Sequence, residues 1–209
     1  MSGRNRRFAF RPLPTAFAVA VLAAALARPV GASIITLNTV ADANSNGDDA
    51  GAYGLDVTSG NAVVIDFDLS GLPEGATIDG ATLSFDVYGY TPSGVSTRLT
   101  AFPKSSGAVT SGDFTAGGYT IVGDDAMTFG YQTVNLDATE LASAMTESNL
   151  GIRFDFISGG IGQIASLENA ASSYSTTPPT LNITAEVPEP ASFGLLTAGG
   201  LALLARRRR

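Results

Sequence analysis

Ala81-Thr82-Leu83-Ser84-Phe85-Asp86-Val87-Tyr88 decides the fold class. Ala81, Leu83, Phe85 and Val87 share one side of a period-two pattern, and Thr82, Ser84, Asp86 and Tyr88 the other. That is the signature of a half-buried β-strand. The pattern recurs along the chain. Val63, Ile65, Phe67 and Leu69 alternate with outward Asp66 and Asp68, and Leu150, Ile152, Phe154 and Phe156 with outward Arg153 and Asp155. Leu181 to Ala185 repeats it. Weaker strand signals cover 34–40, 97–102, 119–122, 129–136 and 163–167, with Gly- and Ser-rich turns between them. One short helix is expected after Asp137, an N-cap with Glu140 three residues on, its apolar face made by Leu141, Ala144 and Met145 and its end near Asn149. Nine strands and one helix predict an all-β, antiparallel, jelly-roll-like β-sandwich.

Composition removes whole classes of chemistry. The 209 residues include no Cys and no His. Disulfide frameworks, thiolate metal sites, cysteine nucleophiles and serine–histidine triads are excluded. The net charge of -7 argues against a nucleic-acid partner. Its distribution says more. Only Arg98, Lys104 and Arg153 interrupt the stretch from Asp42 to Glu189, which holds all 19 acids. The other nine basic residues lie at the two ends, beside apolar runs.

Those ends read as addresses. Arg4, Arg6, Arg7 and Arg11 precede the apolar run Ala16–Ala27, and Val30-Gly31-Ala32 supplies small residues before Ser33. The run is too short to span a bilayer core of ~30 Å. Residues 1–32 therefore read as a secretory signal peptide, cleaved by signal peptidase between Ala32 and Ser33. At the other end, 187–209 combine Val187-Pro188-Glu189-Pro190, the uncharged run Ala191–Ala205, and Arg206, Arg207, Arg208 and Arg209. Such a run stalls in a membrane, and the arginines hold the tail on the cytoplasmic side. The prolines around Glu189 keep the motif extended and outside the helix.

In order and position these features resemble the PEP-CTERM sorting signal of Gram-negative bacteria. The resemblance implies general secretion, transient insertion in the inner membrane as a transmembrane helix, and processing by an exosortase-type protease at Pro188, Glu189 and Pro190. It then implies delivery to the cell surface or extracellular matrix, in bacteria that make exopolysaccharide and biofilm. Residues 33–186 are left as the exported domain.

That domain also resembles a family. Ile65-Asp66-Phe67-Asp68-Leu69-Ser70-Gly71-Leu72-Pro73, followed by Gly75-Ala76-Thr77-Ile78-Asp79-Gly80-Ala81-Thr82-Leu83, is similar to the DNRLRE type of carbohydrate-binding-module-like sandwich. Val40-Ala41-Asp42, Ala52-Tyr53-Gly54, Gly151-Ile152-Arg153-Phe154 and Pro178-Pro179-Thr180-Leu181 follow its order. The usual arginine before the first matched strand and the tryptophan-containing middle segment are absent. The resemblance implies the fold and leaves the ligand open.

Three groups of residues are candidates for chemistry. Asp42, Asn44, Asn46, Asp48 and Asp49, with Gly47, place oxygen ligands at the spacing with which a loop wraps calcium. Tyr53 stands where an EF-hand needs its bidentate glutamate, so an intact EF-hand is not expected. The alternatives are a calcium loop of another kind and a solvated polar turn. Tyr88 and Tyr90, at i and i+2, are candidates to stack on a sugar ring, against the alternative of packing on neighbouring strands. The acid pairs Asp66/Asp68 and Asp124/Asp125 could serve a glycosidase, but outward aspartates on alternating strands are ordinarily solvated. The leading expectation is a non-enzymatic surface or matrix protein that associates with exopolysaccharide. The alternatives are a polysaccharide hydrolase or lyase, and a structural or adhesive module without a glycan ligand.

Overall fold

The structure is a computed structural model and describes residues 31–45, 54–90, 94–168 and 177–187. Gly31–Val187 form one compact unit. Ten strands are described: β1 Gly31–Asn44, β2 Leu55–Val57, β3 Val63–Asp68, β4 Thr77–Tyr90, β5 Val95–Lys104, β6 Tyr119–Met127, β7 Gly130–Leu136, β8 Asn149–Gly159, β9 Gly162–Ile164 and β10 Thr180–Val187. The single described α-helix, α1, spans Ala138–Ala144 between β7 and β8.

All the pairings are antiparallel. The hydrogen-bonded order is β2-β9-β4-β10-β1-β3-β8-β5-β6, with β7 also beside β4. Strand β1 makes this two layers rather than one. Its first half pairs with β10, from Gly31 opposite Val187 to Asn38 opposite Thr180. Its second half pairs with β3, from Thr39 opposite Phe67 to Asn44 opposite Val63. The register breaks between Thr39 and Ala41, and Val40 stands exposed there. A bulge of this kind lets a strand bend from one sheet into the other. The first sheet is β1, β10, β4, β7, β9 and β2; the second is β1, β3, β8, β5 and β6.

The inward faces predicted from alternation close on one another. Leu83, Phe85 and Val87 of β4 are buried, as are Ile65 and Phe67 of β3, Ile152 and Phe154 of β8, and Leu181 and Ile183 of β10, all in one apolar cluster. Phe85 and Phe154 meet edge to face across the interior, ring centroids 5.2 Å apart at 83°. This is a favoured aromatic geometry, and it joins the two sheets. Gly151 on β8 is needed for close approach on the opposite side of the second sheet, where the Phe102 ring lies in the space a Cβ would take.

Helix α1 begins as its sequence requires. The Asp137 carboxylate accepts the backbone N–H groups of Thr139 and Glu140 at 2.9 and 3.0 Å, satisfying two of the orphan donors of the first turn. Leu141 and Ala144 are buried beneath it. Two expectations are corrected. The helix ends at Ala144, not near Asn149, because Asn149 and Leu150 are already committed to β8, opposite Asp68 and Phe67. Among the described residues there are ten strands rather than nine: β2 has only three residues, too few for alternation to register.

Candidate functional site

The outer face of the first sheet carries regular polar rows. Strand register places Thr36, Asn182, Thr82 and Asn135 in line across β1, β10, β4 and β7. The neighbouring row is Asn38, Thr180, Ser84 and Thr133, and on the last two strands Asp86 and Tyr131 continue the face. Residues directly opposite on neighbouring strands point to the same face, and their antiparallel neighbours Leu37, Leu83 and Leu181 point into the core. The Thr36 hydroxyl donates to Asn182 Oδ1 at 2.7 Å, and the Ser84 and Thr133 hydroxyls lie 2.9 Å apart. Apart from Ser84, which is only 4% exposed, the rows offer hydroxyls and amides at the spacing of the strands, with no cation among them. Tyr131 stands at the rim with 60% of its surface exposed.

The two predicted stacking tyrosines are treated differently by the backbone. The register of β4 against β9 shifts between Val87 and Gly89, which interrupts the period-two spacing that would align them. Tyr88 is half-buried, its ring and hydroxyl filling the space beside Gly54. The side chain of Tyr90 lies outside the described residues. Tyr131 is one of six tyrosines that the sequence offers for a stacking platform, with Tyr53, Tyr88, Tyr90, Tyr119 and Tyr174, and spacing does not single it out. Its place between Gln132 and Gly130 gives no sign that β7 would run along the rim of β4.

The calcium candidates divide. Asn46, Asp48 and Asp49 lie outside the described residues. Asp42 and Asn44 are both buried, on the side of β1 that faces the interior, opposite Ile65 and Val63. Asp42 Oδ2 accepts the Leu167 backbone N–H at 2.6 Å, while Oδ1 is buried without a hydrogen-bond partner among the described residues. Burial pushes the Asp42 carboxyl up to about 6; the Leu167 N–H opposes this and the nearby charge of Glu168 adds to it. Glu168 Oε2 is likewise buried and unpartnered among the described residues. Next to them, Ser45 donates to Asn61 Oδ1 at 2.6 Å and Asn61 Nδ2 to the Asp56 carbonyl at 2.7 Å.

A buried aspartate and a half-buried glutamate, each with one orphaned oxygen out of solvent, are costly unless a cation or a proton joins them. All the donors are oxygen, which suits a hard cation such as calcium. Among the described residues no group of three or more acidic residues forms a metal cluster. Asp42, Glu168 and Asn44 would hold the cation together with neutral oxygens. Glu168, more than a hundred residues away in sequence, is the member that spacing could not supply.

The acid pairs are occupied elsewhere. Asp68 caps the short turn Leu69–Gly71, and hydrogen bonds from the Ser70 backbone and hydroxyl hold its carboxyl below the usual range. Asp124 binds Arg98 through two nitrogens at 2.7 and 3.0 Å, and Asp125 accepts the Ala126 N–H. Asp66 was expected outward and solvated. It is outward, but fully buried against Lys104, because residues 105–118 close over it.

At the ends of the domain, the predicted cleavage junction falls inside β1. Ala32 pairs with Glu186 and Ser33 with Ala185. Strand β10 runs to Val187, so the motif residues Pro188, Glu189 and Pro190 follow the last strand with no intervening linker. The motif, the apolar run and Arg206 to Arg209 lie outside the described residues, as does the predicted signal peptide. Among the described residues no helix is long and apolar enough to cross a membrane.

A β-sandwich that passes directly into a sorting signal defines an exported, surface-sorted protein. Residues 186–209 match the family model described as the PEP-CTERM protein-sorting motif. The motif implies recognition by an exosortase-type protease and export in a Gram-negative bacterium. Comparison with the curated proteins returns no match. The matched segment lies almost wholly outside the sandwich and does not assign residues 33–185 to a family.

Proposed function

We propose that the mature domain is a non-enzymatic, glycan-associating module that the sorting signal delivers to the cell surface, where it embeds in exopolysaccharide. One observation carries this reading: the two rows of hydroxyl and amide side chains across β1, β10, β4 and β7, flanked by exposed Tyr131. Neutral sugars present donors and acceptors at comparable spacing along a chain, and an aromatic ring stacks on their apolar faces. A calcium-type cation at Asp42, Asn44 and Glu168 would stabilise the end of the sandwich where β1 leaves β3; its role here is structural rather than catalytic.

The full chain, purified from its exported form and applied to a glycan array with and without calcium, is expected to retain neutral polysaccharides. Tyr131→Ala should reduce retention about tenfold, the value of one well-placed aromatic contact. A blank array, or equal binding by the variant, overturns the assignment of this face; cleavage of an arrayed glycan overturns the non-enzymatic reading.

Sorting has its own test. Replacing Pro188, Glu189 and Pro190 with alanines should leave an uncleaved, membrane-retained species. Fractionation followed by immunoblotting checks it, and normal release of that variant would remove the motif from the account.

A further inference from the structure

One end of the outer face of the second sheet is covered by residues 105–118, and beneath them lies a group that neither sorting nor glycan binding uses. Lys104 ends β5 and Asp66 lies on β3, with β8 between them. Lys104 Nζ reaches across β8 to within 3.1 Å of Asp66 Oδ2, with 4% of the lysine side chain and none of the aspartate exposed. The contact is close, yet Asp66 finds no partner at hydrogen-bonding geometry among the described residues. Nζ does donate to Asp113 Oδ2 at 2.8 Å and to the Ala108 carbonyl at 3.0 Å. Asp113 is held by the Thr110 N–H at 2.8 Å and opens the short turn Asp113–Thr115. Phe102, two residues before Lys104 and on the same face, is buried over Gly151 and walls off the row occupied by Asp66. Arg153 is engaged with Asp155 at 2.6 Å and the Ala116 carbonyl at 2.8 Å, so it does not neutralise Asp66.

We propose that Lys104 and Asp66 join in an intramolecular isopeptide bond, with Asp113 as the proton carrier.

An amine and a carboxyl out of solvent, with a second carboxylate at the pocket's edge (Asp113, 16% exposed), are the complete set of reactants. Desolvation favours the neutral forms of an ion pair, and burial raises the Asp66 carboxyl from its ordinary value, with the Lys104 charge opposing it. A proton passes from the Lys104 ammonium to Asp66. The free amine lone pair attacks Asp66 Cγ and forms the C–N bond. Asp113 takes a proton from the attacking nitrogen and gives it to the departing hydroxyl. The C–O bond breaks, its electron pair leaving with the oxygen as water. One ammonium and one carboxylate become one amide and one water; nothing is oxidised or reduced, and no cofactor takes part. Holding the reactants in contact substitutes for activation, since well-oriented intramolecular reactions reach effective concentrations of about 10⁵–10⁸ M. The bond would tie β3 to β5 across β8 in an exported domain that has no cysteine for a disulfide.

Mass spectrometry of the full chain, denatured and digested with trypsin, decides the matter. Arg98 separates Asp66 from Lys104 in sequence, so the two fall in different tryptic peptides. The expected result is one linked species, lighter than its two peptides by one water and uncut after Lys104. Asp113→Asn should slow formation about a hundredfold, the usual contribution of a positioned proton carrier. Lys104→Arg keeps the charge and should abolish the linked species. Wild-type peptides at their unmodified masses, cut after Lys104, mean a buried ion pair only and overturn the proposal, whether or not either variant folds.

Discussion

Phe154→Ala is expected to destabilise the domain by about 3–5 kcal/mol, the cost of emptying a fully buried aromatic site. Phe154 is completely buried on β8, and its ring is the edge-to-face partner of Phe85 from the facing sheet. Truncation removes the transfer free energy of the ring and leaves a cavity between two sheets that are tied by a shared strand and cannot collapse independently. A single domain ordinarily has about 5–15 kcal/mol in total, so most of the margin would go. Urea titration should show a midpoint shift at constant slope. A loss below about 0.5 kcal/mol, within the range of ordinary surface substitutions, would mean that the sheets do not pack through this pair.

Asp42→Asn is expected to stabilise the calcium-free protein at neutral pH by about 3 kcal/mol, from a carboxyl raised from 3.8 to about 6. The sign follows from proton linkage. The folded state binds the Asp42 proton more tightly than the unfolded chain does. Its favourable contribution is complete below the ordinary carboxylate value near 3.8 and is lost as pH rises through about 6. In chelator, the wild-type melting temperature should therefore fall between pH 4 and pH 6.5, and Asp42→Asn should flatten that window. The asparagine amide oxygen can still accept the Leu167 N–H, so the variant keeps the local hydrogen bond while removing the charge that faces Glu168.

Calcium gives the same pair a second readout. A cation shared by Asp42 and Glu168 reverses the cost of their charges, so adding calcium at pH 7 should raise the wild-type melting temperature and chelator should return it. Asp42→Asn should respond far less. A pH slope without a calcium response would leave Asp42 as a buried carboxyl and remove the cation from the account. No pH slope at all would mean that the carboxyl is solvated.

What the sequence determined is what depends on neighbours along the chain. Alternation at Ala81–Val87 and its repeats specified which side of each strand faces the core, because between bulges a residue's side in a strand is set by its parity. Asp137 announced the start of α1, because a cap acts on N–H groups two and three residues away. The terminal signals were legible because charge, apolar length and motif order act locally, without a fold. The tertiary structure decided everything that depends on which strands become neighbours and on what covers them. Parity put Asp66 outward but could not show that 105–118 would bury it against Lys104. Spacing brought Asp42 and Asn44 together but could not supply Glu168 from the far end of the chain. The rows Thr36-Asn182-Thr82-Asn135 and Asn38-Thr180-Ser84-Thr133 exist only because β10, the last strand, inserts between β1 and β4 and fixes the register of both. Register is a relation between distant segments, set by burying all their inward faces at once.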